Sequence, residues 1–170
     1  MVSTLEKRPE IFFALIAPIG INLDLVQKEL SHALRKIAYT PEIIKLTDFI
    51  KDHNEWFDLK YETEFERYEK YIAAGNEFCK KAERRDALVL SAIAQLYRKQ
   101  PKRPDEISYG TAYIYRQIKR VEEIKTLKQI YGRNIIFIGC HSPKKIRVKN
   151  LVSTLLNDRP ADAGRFMGCG

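Results

Sequence analysis

Ile11-Phe12-Phe13-Ala14-Leu15-Ile16 runs straight into Ala17-Pro18-Ile19-Gly20-Ile21-Asn22, and the reading of this junction decides the fold. The first six residues are an unbroken apolar run without polar alternation, the pattern of a strand buried on both faces. Pro18 and Gly20 break it. Leu23, Val26, Leu30, Ala33, Leu34 and Ile37 then recur at helical spacing across residues 23–38. Asn22 is placed as the N-cap of that helix, and Asp24 sits in its first turn, where negative charge is favoured. Pro41 opens a second short strand at residues 42–46, and Thr47 or Asp48 is expected to cap the helix that follows. The opening is β-α-β.

Working outward, residues 51–70 are charged and aromatic, with Trp56, Phe57, Tyr61, Phe65 and Tyr68, and read as part of a helical insertion over about residues 50–85. A helix is expected at 65–83, bent near Gly75-Asn76 where helix propensity falls, and another at 86–99, ended by Pro101 and Pro104. Residues 112–115 read as a third strand, and 121–130 as a helix with Gly132 just past its end. Residues 134–140 read as a strong buried strand, followed by a last helix at 145–156. Alternating strands and helices predict an α/β domain with a mostly parallel sheet and right-handed crossovers. Ligands of such sheets bind at the carboxyl ends of the strands, near a switch point. Residues 18–22, 116–120 and 140–147 are therefore expected on one rim. One domain over 1–156 and a loose tail over 157–170 are expected.

The formal charge of +8 favours a polyanionic partner, although a lysine-rich soluble surface gives the same total. No apolar run approaches the roughly 20 residues that span a bilayer. The first ten residues include acids and lack the apolar core of a signal peptide, so a cytoplasmic protein with no membrane partner is expected. Cys79, Cys140 and Cys169 are too few and too widely spaced for a disulfide framework or a cysteine metal site.

Three groups of residues carry candidate chemistry. Around Pro18, Ile19, Gly20, Ile21 and Asn22, a glycine turn at a helix start brings backbone amides and a helix dipole to bear on an anion. The lysine and hydroxyl of an active phosphate loop are missing, so a plain strand-turn-helix remains the alternative. The second group is the basic run Lys144-Lys145-Ile146-Arg147, placed like the lid of a small nucleotide kinase or, equally, a solvated helix face. Arg116, with Lys119 and Arg120, would form a further anion clamp. His53-Asn54-Glu55 matches the H-x-E half of a zinc-deaminase signature, but P-C-x-x-C is nowhere in the chain and the match reads as chance.

Together, three blocks give the chain a family likeness. They are Phe13 through Leu23 with the lysine-free Pro-Ile-Gly turn, Tyr71 through Glu77 followed by Arg85-Asp86-Ala87-Leu88, and Ala112 through Arg120 continuing to Gly132, Phe137-Ile138-Gly139 and Arg147. Over residues 11–156 the chain resembles the N-terminal P-loop kinase-like domain of bacterial anti-phage dCTP deaminases, which are related to deoxycytidylate deaminases. The resemblance implies a three-layer P-loop NTPase or nucleotide-kinase-like fold that binds nucleotide, ATP or a dNTP with Mg2+, for regulation. Pro18, Ile19, Gly20, Ile21, Asn22, Arg116, Lys144 and Arg147 would be its binding residues. Gln117-Ile118-Lys119 departs from the usual serine-leucine-lysine, and Val121 stands where proline is common. The zinc-dependent deaminase domain of the family has no counterpart here, so no zinc and no deaminase activity are expected in this chain. It would be a truncated deaminase or a stand-alone regulatory half. Expected partners are a nucleotide, a separate deaminase domain or an RNA inhibitor, and a second copy of the chain. The alternatives are a small nucleotide or nucleoside kinase with a degenerate loop, using Asp48 as its acid, and a protein or RNA interaction module built on the aromatic insertion.

Overall fold

A computed structural model describes residues 8–53, 57, 59–99 and 110–156. Trp56, the Asn54-Glu55 pair, Pro101, Pro104 and the tail 157–170 lie outside the described residues. Four strands, β1 (Ile11–Ile16), β2 (Thr40–Lys45), β3 (Thr111–Ile118) and β4 (Ile135–Gly139), form one sheet in the order β2-β3-β1-β4. Every pairing is parallel. The six helices are α1 (Leu23–Lys36), α2 (Leu46–Asp52), α3 (Glu64–Lys81), α4 (Ala87–Lys99), α5 (Val121–Tyr131) and α6 (Lys144–Leu156). The expected α/β class is what the chain adopts.

Strand order explains the layers. The chain leaves β1 toward β2 and leaves β3 in the opposite direction, toward β4, so right-handed crossovers put α1 and α5 on opposite faces. On one face Leu23, Val26, Leu30 and Leu34 of α1 pack on Phe13, Leu15, Ala112 and Ile114. On the other, Leu46, Ile50, Ala74, Val89, Ile93, Leu96 and Leu127 from α2 to α5 cover Phe12, Ala14, Tyr113 and Tyr115. Leu127 is fully buried, and such a side chain stabilises the fold by about 1.5–3 kcal/mol. Asn22 caps α1 as expected, its Oδ1 accepting from the Leu25 amide at 3.0 Å. Gly132 follows α5 at φ +57°.

Four details depart from the sequence reading. Thr47 and Asp48 cap nothing, because α2 starts at Leu46 directly after β2 and its N-cap is Lys45. Helix α3 runs unbroken through Gly75, where a Cβ would stand 3.3 Å from Leu88 Cδ1, so the glycine serves close packing. Strand β3 extends to Ile118 and takes in Arg116 and Gln117. Strand β4 is an edge strand, and Ile136 is 51% exposed. Helix α1 lies mainly over β2 and β3, so on that side of β4 Ile138 packs against the core while Ile136 stays exposed. An apolar run records that a strand is hydrophobic, not how far the covering helix reaches.

Candidate functional site

Strands β1 and β3 are neighbours whose outgoing connections diverge, so the switch point lies between their carboxyl ends. Two distinct constellations occupy this rim. The first is the turn after β1. Gly20 adopts φ +87°, a left-handed conformation that glycine takes without strain. A Cβ there would lie 2.5 Å from the Arg147 carbonyl oxygen, so α6 rests directly on the turn. Arg147 Nη1 donates to the Ile19 carbonyl at 3.2 Å, and Asn150 Nδ2 to the Gly20 carbonyl at 3.0 Å. The expected loop and lid arginine do meet, but the guanidinium is directed at a backbone carbonyl. Its Nε is buried without a hydrogen-bond partner. Lys144 and Lys145 are exposed on the first turn of α6. Among the described residues, the amides of Gly20, Ile21 and Asn22 donate to no backbone carbonyl. Pro18 is exposed.

The second constellation is a cleft of about 570 Å³ at the ends of β2 and β3, walled by α2, α3 and the start of α5. Lys45, Lys51, Arg67, Arg116, Lys119 and Arg120 line it, against the acids Asp24, Asp48 and Glu123. Tyr61, Tyr68 and Tyr71 line it as well. Arg67 is neutralised by Glu64 at 2.6 Å and lies 4.8 Å over the Tyr68 ring. Among the described residues no carboxylate comes within ion-pair distance of Lys45, Lys51 or Lys119. Lys119 is exposed as a whole residue, but desolvation by its surroundings lowers its pKa below the ordinary lysine value, opposed in part by Glu123.

A bulge in β3 builds the floor. Ala14 pairs with Tyr115 and Ile16 with Ile118, so β3 has one residue more than β1 across this step. Gln117 takes up the excess at φ +69°, a left-handed conformation that strains a non-glycine residue by about 1–3 kcal/mol. Strict alternation would send Ile118 to the α1 face along with Ile114. The bulge reverses the parity, and Ile118 packs with Tyr113 and Tyr115 instead. Gln117 Oε1 accepts from Thr47 Oγ1 at 3.2 Å, tying the bulge to α2. Arg116 keeps the α1 side, where Nη1 donates to Asp24 Oδ1 at 2.8 Å and to Gln27 Oε1. At the start of α5, the Glu123 carboxylate accepts from the amides of Lys119 and Arg120, each at 2.9 Å. That side chain is 2% exposed, and its two amide bonds offset the cost of burying a charge. Arg120 reaches back to Asn76 of α3 at 2.6 Å.

Of the residues expected at a site, Arg116 and Asp48 reach the cleft, with Lys119 and Arg120 beside them. Gly20 and Arg147 meet at the turn. Asp48 stands in the first turn of α2, not at the end of β2. Sequence reasoning missed Lys45, Lys51, Arg67 and Tyr71. For Lys51, Arg67 and Tyr71 the available signal was the mixture of aromatic and basic residues in the insertion, which does not say which face they share; Lys45, at the end of β2, gave none. His53 Nδ1 donates to the Phe49 carbonyl at 2.9 Å, and its ring lies tilted against the Phe49 ring with centroids 4.3 Å apart. Burial raises the Cys140 thiol pKa. Among the described residues, no cluster of three or more histidine, cysteine, aspartate or glutamate side chains gathers to hold a metal ion, and no helix is long and apolar enough to cross a membrane.

The geometry stands alone as a guide to class. No protein-family model matches the chain, and no curated protein matches it significantly.

Proposed function

We propose that this domain binds a nucleotide for regulation and catalyses no deamination, in keeping with its resemblance to the N-terminal part of anti-phage dCTP deaminases. One observation carries the reading. Three lysines with no carboxylate in ion-pair range among the described residues, and three tyrosines, line a single cleft at the carboxyl ends of parallel strands. Lysines without protein counter-ions attract phosphates, and tyrosine rings offer apolar faces to a base. A cleft of that size accommodates a nucleotide-sized ligand. The turn at Gly20 contributes amides that donate to no backbone carbonyl among the described residues, whereas Arg147 is held by the Ile19 carbonyl and Lys144 lies outside the cleft lining.

A thermal-shift screen of ATP, dCTP and the monophosphates, with and without Mg2+, tests the reading. Stabilisation should grow by roughly 1.4 kcal/mol per tenfold ligand above saturation. Lys119→Ala and Lys51→Ala should each weaken binding by about tenfold, as expected for a charge-assisted phosphate contact of ~1.5 kcal/mol. If no nucleotide raises the melting temperature of the wild-type protein, the proposal fails.

Asp48 favours a second reading, a nucleotide or nucleoside kinase, because it is the carboxylate of α2 in the same cleft as Arg116 and Lys119. Phosphoryl transfer from ATP-Mg2+ that is lost in Asp48→Asn would support it. Intact binding with no transfer leaves the regulatory reading in place.

A further inference from the structure

Arg116 is held in an unequal partnership. The residue is 8% exposed and its Nε is buried with no hydrogen-bond partner among the described residues, while Asp24, its counter-ion, has a side chain 87% exposed. One member of the pair is dry and fixed, and the other is almost wholly in water. Both protein acceptors, Asp24 Oδ1 and Gln27 Oε1, share the single nitrogen Nη1. A guanidinium has five donors, and its strong pairings are two-pronged forks onto two oxygens of one anion. A buried guanidinium needs a partner anion, yet Asp24 meets it with one oxygen on one nitrogen and is otherwise hydrated. Asp24 is thus a weakly held occupant of a strong anion receptor, and both residues line the cleft.

The surroundings favour exchange. Asp24 occupies the first turn of α1, so its departure leaves the helix N-terminus open to another anion. The neighbouring amides of Gly20, Ile21 and Asn22 donate to no backbone carbonyl among the described residues. Gln27, one turn further along α1, keeps Arg116 in place when the carboxylate leaves. The β3 bulge with the strained Gln117 directly follows Arg116, at the switch point between the ends of β1 and β3.

We propose that Arg116 is the receptor for a phosphate group of the bound ligand, and that Asp24 is an internal stand-in which the phosphate displaces. Asp24 sets a threshold: only an anion that offers more oxygens than a carboxylate and carries more charge replaces it. The proposal rests on the nucleotide reading for the identity of the natural ligand, but not for the receptor itself, which inorganic pyrophosphate probes directly.

The test is isothermal titration of pyrophosphate at low salt into wild type, Asp24→Asn, Glu29→Gln and the double variant Asp24→Asn/Arg116→Lys, each checked for an unchanged melting curve. Glu29 is an exposed acid on the same helix, and its neutralisation controls for diffuse charge. Asp24→Asn is expected to bind pyrophosphate about fivefold more tightly than Glu29→Gln, the loss of a competitor worth about 1 kcal/mol. The double variant should lose that gain, because lysine cannot reproduce the fork. No tightening relative to Glu29→Gln, or a gain that survives in the double variant, overturns the proposal. Nucleotide binding by wild type without a gain in Asp24→Asn sinks the exchange while sparing the nucleotide reading. Tighter pyrophosphate binding by Asp24→Asn, with no nucleotide binding to either protein, does the reverse.

Discussion

At the turn after β1, Arg147 donates to the Ile19 carbonyl and Asn150 to the Gly20 carbonyl, so α6 is fastened to the protein's own backbone. At the ends of β2 and β3, Lys45, Lys51 and Lys119 line a cleft with no carboxylate in ion-pair range among the described residues. Both regions sit on the same rim and both are basic. The difference is whether protein groups already engage the cations. An arginine bonded to a carbonyl of the turn is part of the fold, whereas a lysine facing an open cleft is available to a ligand. Basic residues near strand ends therefore indicate a site only after their partners are counted.

The largest effect expected from breaking this contrast is on the turn. Gly20→Val places a β-branched side chain at φ +87° and 2.5 Å from the Arg147 carbonyl oxygen, which should cost about 3 kcal/mol or more through strain and clash. For a domain of this size that is a fall of roughly 6–12 °C in melting temperature. A change within two degrees would show that α6 does not rest on the turn.

On the cleft side, Glu123→Ala leaves the amides of Lys119 and Arg120 without their acceptor and should cost about 2–3 kcal/mol in denaturant unfolding. Because those amides fix the start of α5, nucleotide binding should weaken in parallel. A variant that unfolds early but binds normally would detach this helix start from the site.

Acid separates the regions more gently. Asp86 accepts from Arg84 and from Thr126 of α5, and those hydrogen bonds hold its carboxyl down at about 2, from an ordinary value near 3.8. A depressed carboxyl pKa contributes stability that is present above about pH 4 and lost as the pH falls toward 2. Arg84 is well exposed, so solvent screening reduces the contribution to about 1 kcal/mol. Hydrogen exchange should show the α4–α5 contact opening in this window, whereas the turn, held through carbonyls, should not follow the same titration. An Asp86→Asn variant as stable as wild type at neutral pH would count against this.

Asn150→Ala removes one hydrogen bond to the Gly20 carbonyl and should cost about 1 kcal/mol, with binding in the cleft unchanged. The smallest effect is expected at Lys144→Gln and Lys145→Gln, exposed positions whose substitution should shift stability by less than about 0.5 kcal/mol. A large loss of nucleotide affinity in either would restore the lid to the site and erase the contrast between the two regions.

The sequence by itself determined the elements and their class. The apolar run Ile11–Ile16, the Asn22 cap and the spacing of Leu23, Val26, Leu30 and Leu34 are local signals, carried by side-chain periodicity and by hydrogen bonds within a few residues. The alternation of strands and helices then required parallel pairing, because short loops cannot return a strand antiparallel across an intervening helix. Even Arg116 and Gly20 were legible as candidates, since each stands near a strand's carboxyl end. What surrounds them was not. The β3 bulge depends on the register between β1 and β3, about 100 residues apart in the chain. The exposure of Ile136 depends on how far α1 reaches over the sheet. Whether a basic side chain meets a carbonyl, a carboxylate or an open cleft is a property of three-dimensional neighbours. A linear chain specifies those contacts without displaying them, and only the tertiary structure decided them.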